Sequence, residues 1–172
     1  MVSSKTEIVI KDSCILFDLV DLNLLEDFFR LELYAITTPQ VISEITHEAQ
    51  WGEIVKYIDK GVLKIESNGE MKTINELFDE YPGLSVADCS VLELAIRKQA
   101  IIFSSDGSLR KISTRRGFTV RGILWIIEEL CNKELINKDR ALEALNIYQT
   151  VNQRAPIKEI ESLTNKILNK KL

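Results

Sequence analysis

The feature that most constrains this chain is the spacing of its short, unbroken apolar runs. Ile8-Val9-Ile10, Tyr34-Ala35-Ile36-Thr37 and Ala100-Ile101-Ile102-Phe103 are rich in β-branched or aromatic residues and contain no alternating polar positions. A strand that is apolar at nearly every position is buried on both faces, which is the condition of a parallel sheet. Between these runs lie stretches whose apolar residues recur at three- and four-residue steps. Strands alternating with helices predict an α/β domain with a central, mainly parallel sheet in a three-layer α/β/α arrangement.

The helical stretches carry their own punctuation. Leu16, Leu19, Val20, Leu24, Leu25 and Phe28 give Ser13 to Leu31 a helical period, with a break expected at Asp21-Leu22-Asn23. Thr38-Pro39 reads as an N-cap followed by Pro at the first helical position, with Val41, Ile42, Ile45 and Ala49 on one face. A further helix is expected over Trp51 to Asp59, closed by Gly61. Val62 to Ile65 then reads as an edge strand, and Lys72 to Phe78 as a helix within the polar stretch Ser67 to Gly83. Ser85-Val86-Ala87-Asp88 has the S-x-x-D capping pattern and opens a strong helix. A basic helix over Ser108 to Arg116, a strand over Phe118 to Val120, and helices over Gly122 to Asn132, Lys138 to Thr150 and Pro156 to Lys170 complete the pattern.

Composition narrows the function classes. The chain has 172 residues and a formal net charge of −4, so a nucleic-acid ligand would have to be met by a local basic patch. Its three cysteines, Cys14, Cys89 and Cys131, form no C-x-x-C pair, which speaks against a disulfide framework or a zinc ribbon. A single histidine, His47, argues against a metal-free ribonuclease built on paired general acid–base histidines and against a catalytic zinc site. No secretory leader is visible, and no apolar run approaches the roughly 20 residues that cross a bilayer. A cytoplasmic protein with reduced thiols is expected.

Acidic residues fall where an α/β sheet binds ligands, beyond the carboxyl ends of its strands. Asp12 follows the first strand and Asp106 follows Ala100 to Phe103. Asp88 lies in the first turn of the helix before that strand, and Glu44 in the second turn of the helix after Tyr34 to Thr37. Each alone has a structural explanation: a cap or Asx turn for Asp12, a capping box for Asp88, a turn for Asp106, a solvated flank for Glu44. Together, four carboxylates on one rim repel each other, and a site that keeps them close calls for a cation. Oxygen-only ligation selects magnesium or manganese. Arg110, Lys111, Arg115, Arg116 and Arg121 form the one concentrated basic stretch; it serves either as a phosphate-binding surface or as a solvated helix face. Trp51 and Trp125 are read as packing residues before base-stacking ones.

The segments IVIKDS (Ile8 to Ser13), TPQVISEI (Thr38 to Ile45), LSVADCSVLELA (Leu84 to Ala95) and IIFSSDGSLRKI (Ile101 to Ile112) resemble, in order and spacing, the PIN-domain nucleases, which include the VapC-type toxins of prokaryotic toxin–antitoxin pairs. The resemblance runs from about Ile8 to Val120, and the chain continues beyond the family's usual core; the nuclease domain is read as residues 1–154, with 155–172 as a C-terminal helical extension. The resemblance implies Asp12, Glu44, Asp88 and Asp106 as catalytic metal ligands for Mg2+ or Mn2+, with Ser13 and Ser104 supporting the carboxylates. It further implies RNA as substrate, along with a homodimer and an antitoxin partner; on the phosphate-binding reading of the basic stretch, Arg110, Lys111, Arg115 and Arg116 would hold that RNA. The competing reading is a catalytically silent binding or scaffold module of the same fold. A phosphotransfer domain fits less well: a D-x-D phosphatase would need an acid at position 14, where Cys14 stands.

Overall fold

The structure is a computed structural model that describes residues 7–10, 13–67 and 69–169. Asp12 lies outside the described residues. The sheet contains β1 (Glu7–Ile10), β2 (Tyr34–Thr37), β3 (Leu63–Ile65), β4 (Ile101–Phe103) and β5 (Val120–Arg121), in the order β3-β2-β1-β4-β5. Every pairing is parallel, with Val9 opposite both Ile36 and Ile102 at the centre. The helices are α1 (Ser13–Asp21), α2 (Leu25–Phe29), α3 (Pro39–Ser43), α4 (Glu48–Asp59), α5 (Met71–Glu80), α6 (Val86–Lys98), α7 (Gly107–Arg115), α8 (Ile123–Asn132), α9 (Lys138–Val151) and α10 (Ile157–Asn169).

The side-chain alternation of a strand sorts the core into two apolar clusters. Ala35, Leu63 and Phe103 belong to one, with Leu16, Leu19, Phe28, Ile126, Leu130 and Leu145. Ile36 and Ile102 belong to the other, with Val41, Ile74, Leu77, Leu92 and Leu109. Ile160, Leu163 and Ile167 of α10 join the first cluster, so the last helix contributes to the core. Phe103 sits edge-on between Phe28 at 6.0 Å and Trp125 at 5.5 Å.

Local chemistry explains most boundaries. The break after α1 falls at Asn23, which adopts φ 53°, a left-handed conformation that Asn tolerates better than most residues. Gly61 at φ 70° ends α4, with the Val62 N–H reaching back to Tyr57 O at 3.1 Å. Two expectations change. The helix after β2 stops at Ser43, and Ala49 belongs to α4. The Ser43 hydroxyl donates to Gln40 O at 2.7 Å, and the Glu44 and Ile45 N–H groups bond three residues back, tightening the last turn. Glu44 is therefore the C-cap of a five-residue helix rather than a second-turn residue. The last strand is Val120–Arg121, because Ile102 and Phe103 pair with those two residues.

Candidate functional site

Strand order reverses at the centre of the sheet. From β1 the chain proceeds through β2 to β3 on one side, then returns to β4 and β5 on the other. The crevice past the carboxyl ends of β1 and β4 is therefore the switch point at which open α/β sheets bind ligands. The segment Ser104-Ser105-Asp106 leaves β4 at this crevice. Ser104 is fully buried; its N–H donates to Arg121 O at 2.9 Å, and its Oγ accepts the Asp106 N–H at 3.0 Å. Ser104 thus fixes the loop through the backbone of Asp106. Asp106 caps α7, its Oδ1 accepting the Leu109 N–H at 2.8 Å.

α6 runs back along the sheet before β4 runs forward, so its first turn lies at the same end of the sheet as Asp106. Asp88 occupies that turn and is only 5% exposed. Its Oδ2 accepts the Ser85 N–H at 2.7 Å, and its own N–H donates to Ser85 Oγ at 3.1 Å, closing the capping box read from the sequence. Ser90, one turn on, bonds Thr38 Oγ1 at 2.8 Å in a fully buried contact. That bond ties the start of α6 to the start of α3, which leads to Glu44. Glu44 is exposed. Burial, with the Asp88 carboxylate adding to it, pushes the Cys89 thiol up to about 11. Among the described residues, no three His, Cys, Asp or Glu side chains gather as a group that could hold a metal; Asp12 is not among those residues.

Beside Asp106 opens a cleft of about 760 Å³. Cys14 and Asp18 of α1 form one wall, and Arg110 of α7 and Arg121 of β5 form another. Tyr148 and Asn152 at the end of α9, then Arg154 and Glu159, close the third. Arg110 is steered inward by a bond from its Nη1 to Ser104 O at 3.2 Å. A Cβ on Gly122 would stand 3.0 Å from that same Nη1, so the glycine leaves room for the arginine. The Arg121 guanidinium lies 5.5 Å from the Trp125 ring centre. Tyr148 is buried, its hydroxyl accepting from Asn152 Nδ2 at 3.1 Å; burial first, then the Asp18 carboxylate, raise its pKa.

A family model described as a PIN domain matches residues 8–168, nearly the whole chain. The chain belongs to the PIN-domain family. It is also 34% identical over 103 residues to endoribonuclease Nob1 of Methanocaldococcus jannaschii, a match covering 58% of this chain and 50% of that protein. The chain thus spans about half the length of this curated relative.

Within this PIN domain the residues expected from the sequence divide. Asp88, Asp106 and Ser104 stand at the strand-end side of the sheet, and Ser13 begins α1 there. Of the basic stretch, Arg110 and Arg121 line the cleft. Lys111 and Arg115 are exposed on α7 and are not among the residues lining it. Arg116 turns to α5, where its Nη1 donates to Tyr81 Oη at 3.0 Å and lies 3.6 Å from Glu80. His47 is the exposed N-cap residue of α4, and Trp51 is half-buried on the same helix. Trp125 packs on Phe103 and also lines the cleft. The sequence reading missed Asp18, Tyr148, Asn152 and Arg154. The polar stretch Asn152-Gln153-Arg154, wedged between two amphipathic helices, is the signal that could have marked two of them. No helix among the described residues is long and apolar enough to cross a membrane.

Proposed function

We propose that this PIN domain is a divalent-metal-dependent endoribonuclease that hydrolyses RNA phosphodiester bonds. The observation that supports the reading is the position of Asp88, in the first turn of α6, and Asp106, the N-cap of α7, at the same switch-point end of the sheet. The likeness to an endoribonuclease supports the substrate class. The donor set suits magnesium or manganese: carboxylate oxygens without thiolate or imidazole partners. Each cap bond occupies one lone-pair direction of a carboxylate that offers about four, so capping and metal ligation are compatible.

In this reading Asp88 and Asp106, with Asp12 and Glu44, hold the ion, and Ser13 and Ser104 steady the acidic rim. When bound, a divalent ion supplies a water of lowered pKa and neutralises charge building on the phosphate oxygens. Asp88, held by the Ser85 N–H inside a buried turn, is pre-oriented and loses little freedom on binding. Arg110 binds substrate phosphate next to Asp106, and Lys111, Arg115 and Arg116 extend the basic surface outward. The architecture is three-layer α/β/α; residues 1–154 carry the acidic site, and the extension 155–172 packs its helix onto the same core. A cytoplasmic homodimer controlled by an antitoxin is the corresponding biological setting; a small neighbouring antitoxin gene and arrested bacterial growth on expression are its expected signs.

The test is cleavage of a panel of end-labelled single-stranded RNAs by the whole chain, with Mg2+, with Mn2+ and with chelator. Cleavage by the wild type in metal, lost in chelator and in Asp88→Asn/Asp106→Asn, is the expected result. A folded wild type that cuts no RNA in either metal overturns the reading in favour of a silent binding module.

A further inference from the structure

We propose that the cleft beside Asp106 is a nucleotide site that holds one unit of single-stranded RNA next to the acidic rim. The inference builds on the ribonuclease reading by assigning where the strand lies. The cleft offers about 760 Å³, far more than a lone phosphate fills. Three arginines line it, Arg110, Arg121 and Arg154, carried by segments distant in sequence. Two are already ordered: Arg110 by Ser104 O and Arg121 by the Trp125 ring, so little side-chain entropy is lost when they take a phosphate. The first turn of α8, Ile123 to Trp125, lines the same space; its N–H groups lack intrahelical acceptors and its dipole adds to the positive potential.

Charge also says what kind of anion fits. Asp18, Asp106 and Glu159 stand in the cleft with the three arginines. A free phosphate presents mainly acceptors and would be repelled by those carboxylates. A ribonucleotide carries a phosphate for the arginines and ribose hydroxyl and base N–H donors for the carboxylates and for Asn152. The mixed lining therefore selects a nucleotide over a simple anion.

The chain contains two tryptophans, and Trp51 does not line the cleft, so Trp51→Phe leaves Trp125 as sole fluorophore. In this background, with chelator present, tetrauridylate is titrated against inorganic phosphate as control. A saturable change in Trp125 emission with tetrauridylate, and none with phosphate at the same concentration, is expected. Arg154→Ala, an exposed position outside any helix, should weaken binding several-fold and flatten the dependence of log affinity on log salt by ~0.7, one single-strand phosphate contact. Alkylation of Cys14, exposed and lining the same cleft, should slow when tetrauridylate is bound. An equal response to inorganic phosphate overturns the proposal, as does an Arg154→Ala protein with unchanged affinity and salt slope. No metal or turnover is needed, so the two readings fail separately. RNA bound in the cleft but never cut removes the ribonuclease alone. RNA cut by a protein whose Trp125 and Arg154 register nothing removes the cleft alone.

Discussion

Asp88 holds a helix cap and, in the proposed function, a metal, and a pair of substitutions pulls these apart. Ser85→Ala deletes the Oγ that accepts the Asp88 N–H at 3.1 Å and leaves the carboxylate in place. Losing such a cap costs about 1 kcal/mol, which for a domain of this size lowers Tm by about 2–4 °C. Asp88→Asn keeps an oxygen for the Ser85 N–H, now 2.7 Å from Oδ2, but removes the charge. The lost charge–dipole attraction is worth about 0.3–1 kcal/mol. Magnesium at ~100 times its Kd adds about 2.7 kcal/mol to any protein whose folded state binds it. At ~2–4 °C per kcal/mol the wild type should melt about 5–11 °C higher in metal than in chelator. Differential scanning calorimetry of the three proteins in both buffers reads this directly. Ser85→Ala should start lower and still rise. Asp88→Asn should start close to the wild type and stay flat. A rise in Asp88→Asn equal to that of the wild type would refute the ligand role and leave Asp88 as a cap alone.

Phe103→Ala removes a ring packed between Phe28 and Trp125 and should lose about 3–5 kcal/mol in urea unfolding; a loss under 1 kcal/mol would show that this contact between strand and helices is not a core element. Iodoacetamide should label Cys14 in the native protein and reach Cys89 and Cys131 only after denaturant, as read by peptide mass spectrometry. Cys89 has its thiol pKa raised from its usual 9.0 to about 11, so the unfolded thiol ionises first. Its contribution to stability is complete below pH 9 and fades as pH climbs toward 11, and Cys89→Ala should flatten that decline. In chelator, Asp88→Asn/Asp106→Asn should unfold within about 1 kcal/mol of the wild type, since Asn caps as well as Asp; a much larger loss would mean that the acids are held by the fold.

What the sequence made legible follows the range of the forces involved. β1, β2 and β4 were readable as unbroken apolar runs, and the burial of β2 and β4 shows why such runs admit no polar interruption, while Ser85, Asp88, Thr38 and Gly61 were readable because capping is a local bond. α3 was overextended because Val41, Ile42 and Ile45 keep a helical period, whereas the Ser43 back-bond and the tightened last turn are invisible to periodicity. β5 shifted because the register against Ile102 and Phe103 selects Val120 and Arg121, not the more apolar Phe118. The cleft was hidden for a further reason: α1, α7, β5 and the α9–α10 connection meet only in three dimensions. Tyr148 belongs to the apolar face of α9 and is core by its ring, while its hydroxyl reaches the cleft.

The acidic positions were legible in kind but not in role, and the reason lies in what capping requires. Asp88 and Asp106 each satisfy an N-terminal backbone N–H, at 2.7 and 2.8 Å. Ser, Asn or Thr at either position would satisfy the same donors. The extra gain from a full negative charge at a helix start is only about 0.3–1 kcal/mol. Capping therefore explains why these positions are polar and hardly why both are carboxylates. Arg110 adds to the case, since its guanidinium is drawn to Ser104 O beside Asp106 through the space Gly122 leaves open. A guanidinium beside Asp106, with Asp88 at the same end of the sheet, is what the proposed phosphate chemistry would use, and capping alone does not call for that combination.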